Sequence, residues 1–486
     1  MTATTDVQPG GGAPLGGDQR PRRRSGWLGP LLLRLHFYAG IFVGPFVLVA
    51  ATTGALYALT PQVEQIVYSH ELRAPETGTT LTLAEQVRAA DAYVGDGQQV
   101  VAVRPAPEPG DTTRVMYADA RLGESQTRAV FVDPGTAEIR GDLPVYGTSG
   151  ALPLRHWVSD LHRSLHLGDA GRLYSELAAS WLGVVALAGA GLWVVRFRKT
   201  RTKRSMLRPD TRATGYAKTR SWHTSTGVWV LGAALFLSVT GITWSQHGGG
   251  NFSDLRNAVG WTTPSVSTDL TGSADGPVDE HAHHGAPAPA PTVGADAPEL
   301  NPGAFDTVLR IGQEVNITTG LVEIRPPSGP GTAWVVQEIQ RSYPTEVDAV
   351  AVDGQTMQVV DRVDFADFGI VAKLSRWGID LHMGSMFGLA NQLGLFVAGS
   401  AIAAMVVWGY VMWWQRRPVR DPQRHVGKAP ARGVLRRAPW WGTVAALVVA
   451  AAVGVFLPLM GLSLAAFLVV DTVVGWRQAR HGRSTA

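Results

Sequence analysis

The sequence predicts an α-helical polytopic membrane protein: a four-helix core made by tandem duplication of a helix–domain–helix unit, a C-terminal helical hairpin, and two extracytoplasmic α+β modules. Three observations predict it. Six apolar runs stand out from an ordinary 45% hydrophobic content over 486 residues. Basic residues gather beside alternate ends of those runs. The chain also aligns with itself at fixed offsets.

The apolar runs are roughly 37–59, 177–195, 228–244, 389–414, 441–457 and 459–474. The first four approach or exceed the roughly 20 residues that cross a bilayer as a helix. The last two are shorter and separated only by Pro458, which suits a hairpin. Arg22, Arg23, Arg24 and Arg34 precede the first run, Arg196 to Arg220 fill the second gap, Arg416 to Arg437 fill the fourth, and Arg477, Arg480 and Arg483 end the chain. Lys and Arg beside spans mark the cytoplasmic side. An even number of spans, six, then puts both termini inside. The formal net charge of +4 is a topology signal and implies no nucleic-acid partner; the lipid bilayer is the expected environment.

This reading divides the chain into a basic tail (1–30), a first span (31–60), a first module (61–159) and a second span (160–197). A basic loop (198–219) leads to a third span (220–246), a second module (247–379) and a fourth span (380–415). A second loop (416–438), the hairpin (439–476) and a tail (477–486) complete it. Apolar character after the tail outlasts the core of a signal peptide, and no small-residue cleavage pattern follows.

The repeat is explicit. Shifted by 187, the first span meets the third as His36/His223, Gly40/Gly227, Leu48/Leu235, Thr53/Thr240, Gly54/Gly241 and Tyr57/Trp244. Shifted by 220, Asp160-Leu161-His162 meets Asp380-Leu381-His382, followed by Gly168/Gly388, Gly189/Gly409, Trp193/Trp413 and Arg196/Arg416. The same shift joins FVDPGT at 131–136 to AVDGQT at 351–356, and 221 joins VAVRP at 101–105 to VEIRP at 322–326. Within the modules, helices are expected over 83–93 and 305–315. Alternating segments at 99–104, 113–118, 128–132, 321–325, 333–339 and 348–352 read as strands, with turns at Pro134-Gly135 and Asp353-Gly354. The stretch 272–298 is a low-complexity insert, and its His281, His283 and His284 read as part of a linker more readily than as a metal site.

The chain has no cysteine, which excludes disulfides, thiolate metal sites and covalent c-type haem. Histidine in a membrane span is costly without a partner or a task. His36 and His223 fall just inside the basic edge. His162 and His382 fall at the far ends of their helices, at or above the outer surface if those helices run straight, and lower if Gly168 and Gly388 bend the chain back. Two pairs follow, His36 with His223 and His162 with His382. Facing imidazoles can take both axial positions of one haem iron, and helix bundles commonly host such sites. Two b haems are the expected cofactors, and the repeated glycines allow close helix packing or leave room for a flat macrocycle. His166 lies one turn beyond His162 on the same face and competes with it as the outer ligand; its repeat partner is Met386. His156 and His247 read as interfacial, and Arg34, Arg155 and Arg220 could neutralise propionates. Nucleotide-binding loops, HExxH and nucleophile elbows are absent.

At these residues the sequence resembles the PepSY-associated transmembrane family. The matching segments are RLHFYAGIFVGPFVLVAATTGALYALTP, DLHRSLHLG with GLWVVRFR, RSWHTSTGVW with SVTGITWS, and DLHMGSMFG with GYVMWWQRR. They occur in order over about 30–420 and leave the C-terminal hairpin outside. The resemblance implies PepSY modules outside a bacterial inner membrane, and an iron-linked function similar to haem-containing ferric-siderophore reductases. It implies a membrane oxidoreductase taking electrons from quinol, reduced flavin or a cytoplasmic reductase and delivering them to an extracytoplasmic ferric chelate for iron acquisition. The alternative is a non-enzymatic, membrane-anchored sensor or peptidase inhibitor. A transporter with histidine proton relays fits less well, because the repeats are parallel and the mid-membrane segments uncharged.

Overall fold

The computed structural model describes residues 26–95, 97–200, 203–271, 300–417, 430 and 432–484. The tail 1–25, the insert 272–298 and most of the second basic loop lie outside the described residues. In chain order the helices are α1 (Leu28–Phe42), α2 (Gly44–Val67), α3 (Ser69–Leu72), α4 (Leu83–Val94), α5 (Pro153–Ser164), α6 (Gly168–Lys199) and α7 (Gly215–Trp229). They continue as α8 (Leu231–Thr243), α9 (His247–Ala258), α10 (Gly303–Val315), α11 (Ile370–Met383), α12 (Gly388–Gln415), α13 (Trp440–Phe456) and α14 (Pro458–Ser484). The strands are β1 (Val100–Arg104), β2 (Thr113–Tyr117), β3 (Gln126–Val132), β4 (Ile139–Tyr146), β5 (Val322–Arg325), β6 (Trp334–Glu338), β7 (Ala349–Val352) and β8 (Val359–Val363).

Among the described residues, α2, α6, α12 and the 458–478 part of α14 are long and apolar enough to cross a bilayer, and α7 with α8 makes a fifth candidate. α1 and α13, the latter in the expected hairpin, are shorter apolar helices. Side chains such as Val397, Val448 and Val469, each more than 60% exposed, cover these helices; they suit lipid and would be a large apolar liability in water. The chain is a multi-pass membrane protein.

Each of the first four expected spans is broken. The first divides at Val43. Pro45 has no N–H to give the Ile41 carbonyl, which accepts from the Tyr410 hydroxyl at 2.6 Å instead. The third divides at Val230, 187 positions later, with a 62° bend between α7 and α8. The second and fourth begin with short helices, α5 and α11, that fold back before the long spans. Leu165, His166 and Gly168 take positive φ at the first fold, and Gly384 and Gly388 do so at the second. A Cβ on Gly171 would lie 1.7 Å from the Ser164 carbonyl oxygen, so the first fold requires glycine there. The straight-helix placement of His162 and His382 above the membrane surface is thereby overturned in favour of the bent one.

α13 and α14 form a hairpin against the core. At one end Trp441 meets Trp27, with ring centres 6.4 Å apart, and Asp471 accepts from Arg34 at 2.5 Å and Arg432 at 3.0 Å. At the other end Asn251 of α9 donates to the Phe456 carbonyl at 2.9 Å.

The two polar segments do not form separate modules. Their strands make one antiparallel sheet in the order β4-β3-β2-β1-β5-β6-β7-β8, joined where Val103 of β1 pairs with Ile324 of β5. An isolated four-stranded sheet would leave two edges open; here two inner edges satisfy each other. Arg104 and Glu323 add an ion pair of 2.6 Å across the seam. α4 and α10 pack over the sheet on Val103, Val115, Val130, Ile324, Val336 and Val350, all fully buried. Asp306 of α10 caps α4 of the other half by accepting from the Leu83 and Ala84 amides at 2.8 and 3.0 Å. The two foreseen turns are built alike: Asp133 accepts from the Gly135 amide and Asp353 from the Gln355 amide, both at 2.8 Å.

Candidate functional site

The helices bring the four repeat-related histidines together in two pairs. His36 of α1 and His223 of α7 meet edge to face, with ring centres 6.1 Å apart and planes at 75°. His36 Nδ1 bonds the Val185 carbonyl of α6 at 2.9 Å, and His223 Nδ1 bonds the Met405 carbonyl of α12 at 3.0 Å. Val185 and Met405 are themselves 220 positions apart. A carbonyl can only accept, so each Nδ1 carries the proton and each Nε2 keeps its lone pair. The His36 ring lies over Gly189, where a Cβ would come within 3.0 Å of Cε1.

His162 and His382, at the ends of α5 and α11, line one cleft among the spans. Their Nδ1 atoms lie 3.0 Å from Thr53 Oγ1 and 2.5 Å from Thr240 Oγ1. Each threonine hydroxyl already donates back to its own helix, Thr53 to Val49 and Thr240 to Phe236, both at 2.8 Å. The hydroxyl oxygens therefore accept from the imidazoles, and Nε2 is again the free lone pair. The cleft holds about 1610 Å³ of space outside atoms, its open mouth included, and its walls include Ala51, Gly54, Ala178, Gly241 and Gly399. A Cβ on Gly54 would come within 3.0 Å of His162 Cε1. The cleft wall around Ala178 and the His36 anchor at Val185 are seven residues apart on α6, a rise of about 10 Å.

Two arginines line the cleft, each beside a carboxylate. Arg163 donates to Tyr146 and Asp160 at 2.7 and 2.8 Å, and Arg341 donates to Thr148 at 2.7 Å; both line the cleft. Arg376 and Arg341 lie 2.9 and 3.6 Å from the buried Asp380.

The other candidates sit elsewhere. His166 is carried away from His162 by its left-handed backbone and packs on Trp157, with ring centres 5.0 Å apart. With His156 and Asp160 it lines a separate hollow on the sheet side. His156 stacks on Tyr146 at 4.3 Å, and the His247 amide donates to Glu176. Arg34 serves the hairpin through Asp471, Arg155 donates to Tyr57 at 3.2 Å, and the Arg220 guanidinium stacks on Tyr216. His281, His283 and His284 lie outside the described residues. Sequence reasoning gave no role to Thr53 and Thr240, although both stood in the repeat alignment beside histidines. Arg163 and Arg341 carried no repeat signal, and main-chain acceptors leave none.

No curated protein matches this chain. The family model for the PepSY-associated TM region matches residues 33–416, which takes in all four histidines, the sheet and the long spans through α12, so the chain belongs to that family.

Proposed function

We propose that this protein is a di-haem b-type transmembrane electron carrier that reduces an extracytoplasmic ferric chelate, such as a siderophore, for iron acquisition. In this reading it is a duplicated helix–domain–helix unit with PepSY-like modules, set in a bacterial plasma membrane with its basic ends cytoplasmic. The single observation that carries the proposal is the matched orientation of four imidazoles. Each has Nδ1 tied to an acceptor at a repeat-related position, leaving Nε2 for a metal.

The residues fit the cofactor. His36 and His223 stand 6.1 Å apart between ring centres with each Nδ1 bonded to a carbonyl, so both Nε2 atoms could serve one metal group. Gly54 and Gly189 leave the ring edges room that any side chain would take. His36 and His223 would hold one haem, and His162 and His382 the other. When bound there, haem supplies reversible one-electron chemistry. Val185, Met405, Thr53 and Thr240 hold the rings and their tautomers. Arg163 and Arg341 line the cleft and could face the anionic groups of a haem or of a chelate. Quinol, reduced flavin or a reductase would donate at the basic end.

The test is a haem assay with a visible spectrum on protein made with ample haem. Two b haems per chain are expected, and none would end the proposal. Unchanged function after replacing all four histidines would favour a membrane-anchored sensor or peptidase inhibitor.

A further inference from the structure

The second half of the sheet carries a group of carboxylates that the redox reading does not use. Glu338 ends β6, and Glu346 and Asp348 lead into β7; one oxygen from each lies within 4.8 Å of the others. Glu338 is fully buried. Its Oε1 accepts from the Thr318 and Thr319 amides at 2.7 and 2.9 Å, but its Oε2 is buried with no partner. The Asn316 amide nitrogen is spent on Asp348 and Asp364, and the Asn316 amide oxygen is also buried without a partner. Arg362, the cation on the adjoining strand, is held by Asp364 at 2.7 Å. Burial, with the Glu338 charge nearby, pushes the Glu346 and Asp348 carboxyls above the usual carboxylate range.

The fold does not demand these anions. By strand register the first half has Tyr117, Gln126 and Arg128 at the matching places. There the Tyr117 hydroxyl donates to Asp91 at 2.7 Å and Arg128 pairs with Asp142 at 2.6 Å, so the same architecture closes its polar groups internally. Three carboxylates with a buried unpartnered oxygen carry a large cost unless a cation satisfies them. The donors are all oxygen, as hard divalent cations prefer. Two oxygens on one calcium ion, at about 2.4 Å each, stand up to about 4.8 Å apart.

We propose that Glu338, Glu346 and Asp348 form a calcium-type divalent-cation site. The ion would tie the end of β6 to the 316–319 loop. Through Asp348, which accepts from the Phe365 amide at 2.7 Å, it would also reach the segment leading into α11 and His382. The site is independent of whether haem binds.

The full-length protein, purified in detergent and stripped with chelator, tests this by calorimetric titration with Ca²⁺ and by thermal unfolding with and without it. One Ca²⁺ per chain is expected, with a rise in melting temperature that chelator reverses. Glu346→Gln, at the less buried edge, should weaken Ca²⁺ by at least about tenfold, because affinity follows ligand charge. Glu338→Gln should abolish binding. No Ca²⁺ effect in either readout, an equal response from Glu346→Gln, or a response to Mg²⁺ alone would overturn the proposal. So would a Glu338→Gln protein that melts higher than a wild type indifferent to Ca²⁺, since a proton would then be satisfying the cluster.

Discussion

The two histidine pairs differ in what steadies them. His36 and His223 lean on main-chain carbonyls of the long spans α6 and α12, whereas His162 and His382 lean on threonine hydroxyls. A main-chain acceptor moves only if its helix moves. A hydroxyl can rotate, and a substitution can remove it. The outer pair also sits on short helices that reach the spans through left-handed residues, which are natural pivots. The His36/His223 site is thus framed by main chain, and the His162/His382 site by side chains beside an open cleft. In the proposed electron carrier, the first would be the firmer station and the second the one more open to adjustment.

The largest effect should come from the histidines. His36→Ala and His382→Ala are each expected to halve the haem-to-protein ratio, from two to one, and to abolish electron flow across the membrane. Separate loss of two spectrally distinct haems would sharpen the contrast between the sites. Loss of both haems from either variant would show one coupled site and break it. Thr240→Val comes next. Removing an acceptor behind a metal-bound imidazole costs roughly 10–100-fold in metal affinity. The expected loss is confined to the outer haem, measured by competition with a haem-scavenging protein.

The glycine cradles test rigidity directly. A Cβ on Gly189 or Gly54 would meet its histidine at the same 3.0 Å. If only the outer ring can yield, Gly189→Ala should show the full overpacking cost of about 1–3 kcal/mol in thermal unfolding, and Gly54→Ala clearly less. The reverse order would mean that the hinge helices are the stiffer mounts.

Much of this was legible in the sequence, because duplication writes a functional position twice. The offsets of 187 and 220 singled out the four histidines and the turns at Asp133 and Asp353, and apolar alternation marked six of the eight strands. The same offsets linked Thr53 to Thr240, but a threonine among apolar residues has no signature until its neighbour is known. The Val185 and Met405 carbonyls were invisible because any residue supplies one. The place of His166 was hidden because helical spacing assumes a continuing helix, and the left-handed turn at 165–166 ends it. The edge-to-edge joining of the sheets was hidden because two identical strand edges carry no mark of whether they meet.

The hinge helices are themselves held unequally. In α11, Arg376 and the fully buried Asp380 form an ion pair of 2.9 Å; in α5 the matching residues are His156 and Asp160, partly exposed and 3.4 Å apart. Asp380 keeps Arg341 at 3.6 Å when Arg376 is lost, so Arg376→Ala removes a buried charge-assisted bond without stranding the carboxylate and should destabilise the protein by about 1–3 kcal/mol. Breaking the partly exposed pair with His156→Phe, which keeps an aromatic ring on Tyr146, should cost only about 0–1 kcal/mol, the smallest effect expected here. Denaturant unfolding of the two variants compares them, because α5 and α11 carry equivalent histidines into one cleft. If the costs are equal, both arms of the outer site are clamped alike. If they differ as expected, adaptability at the cleft lies on the His162 side, next to the hollow that His156 and His166 line.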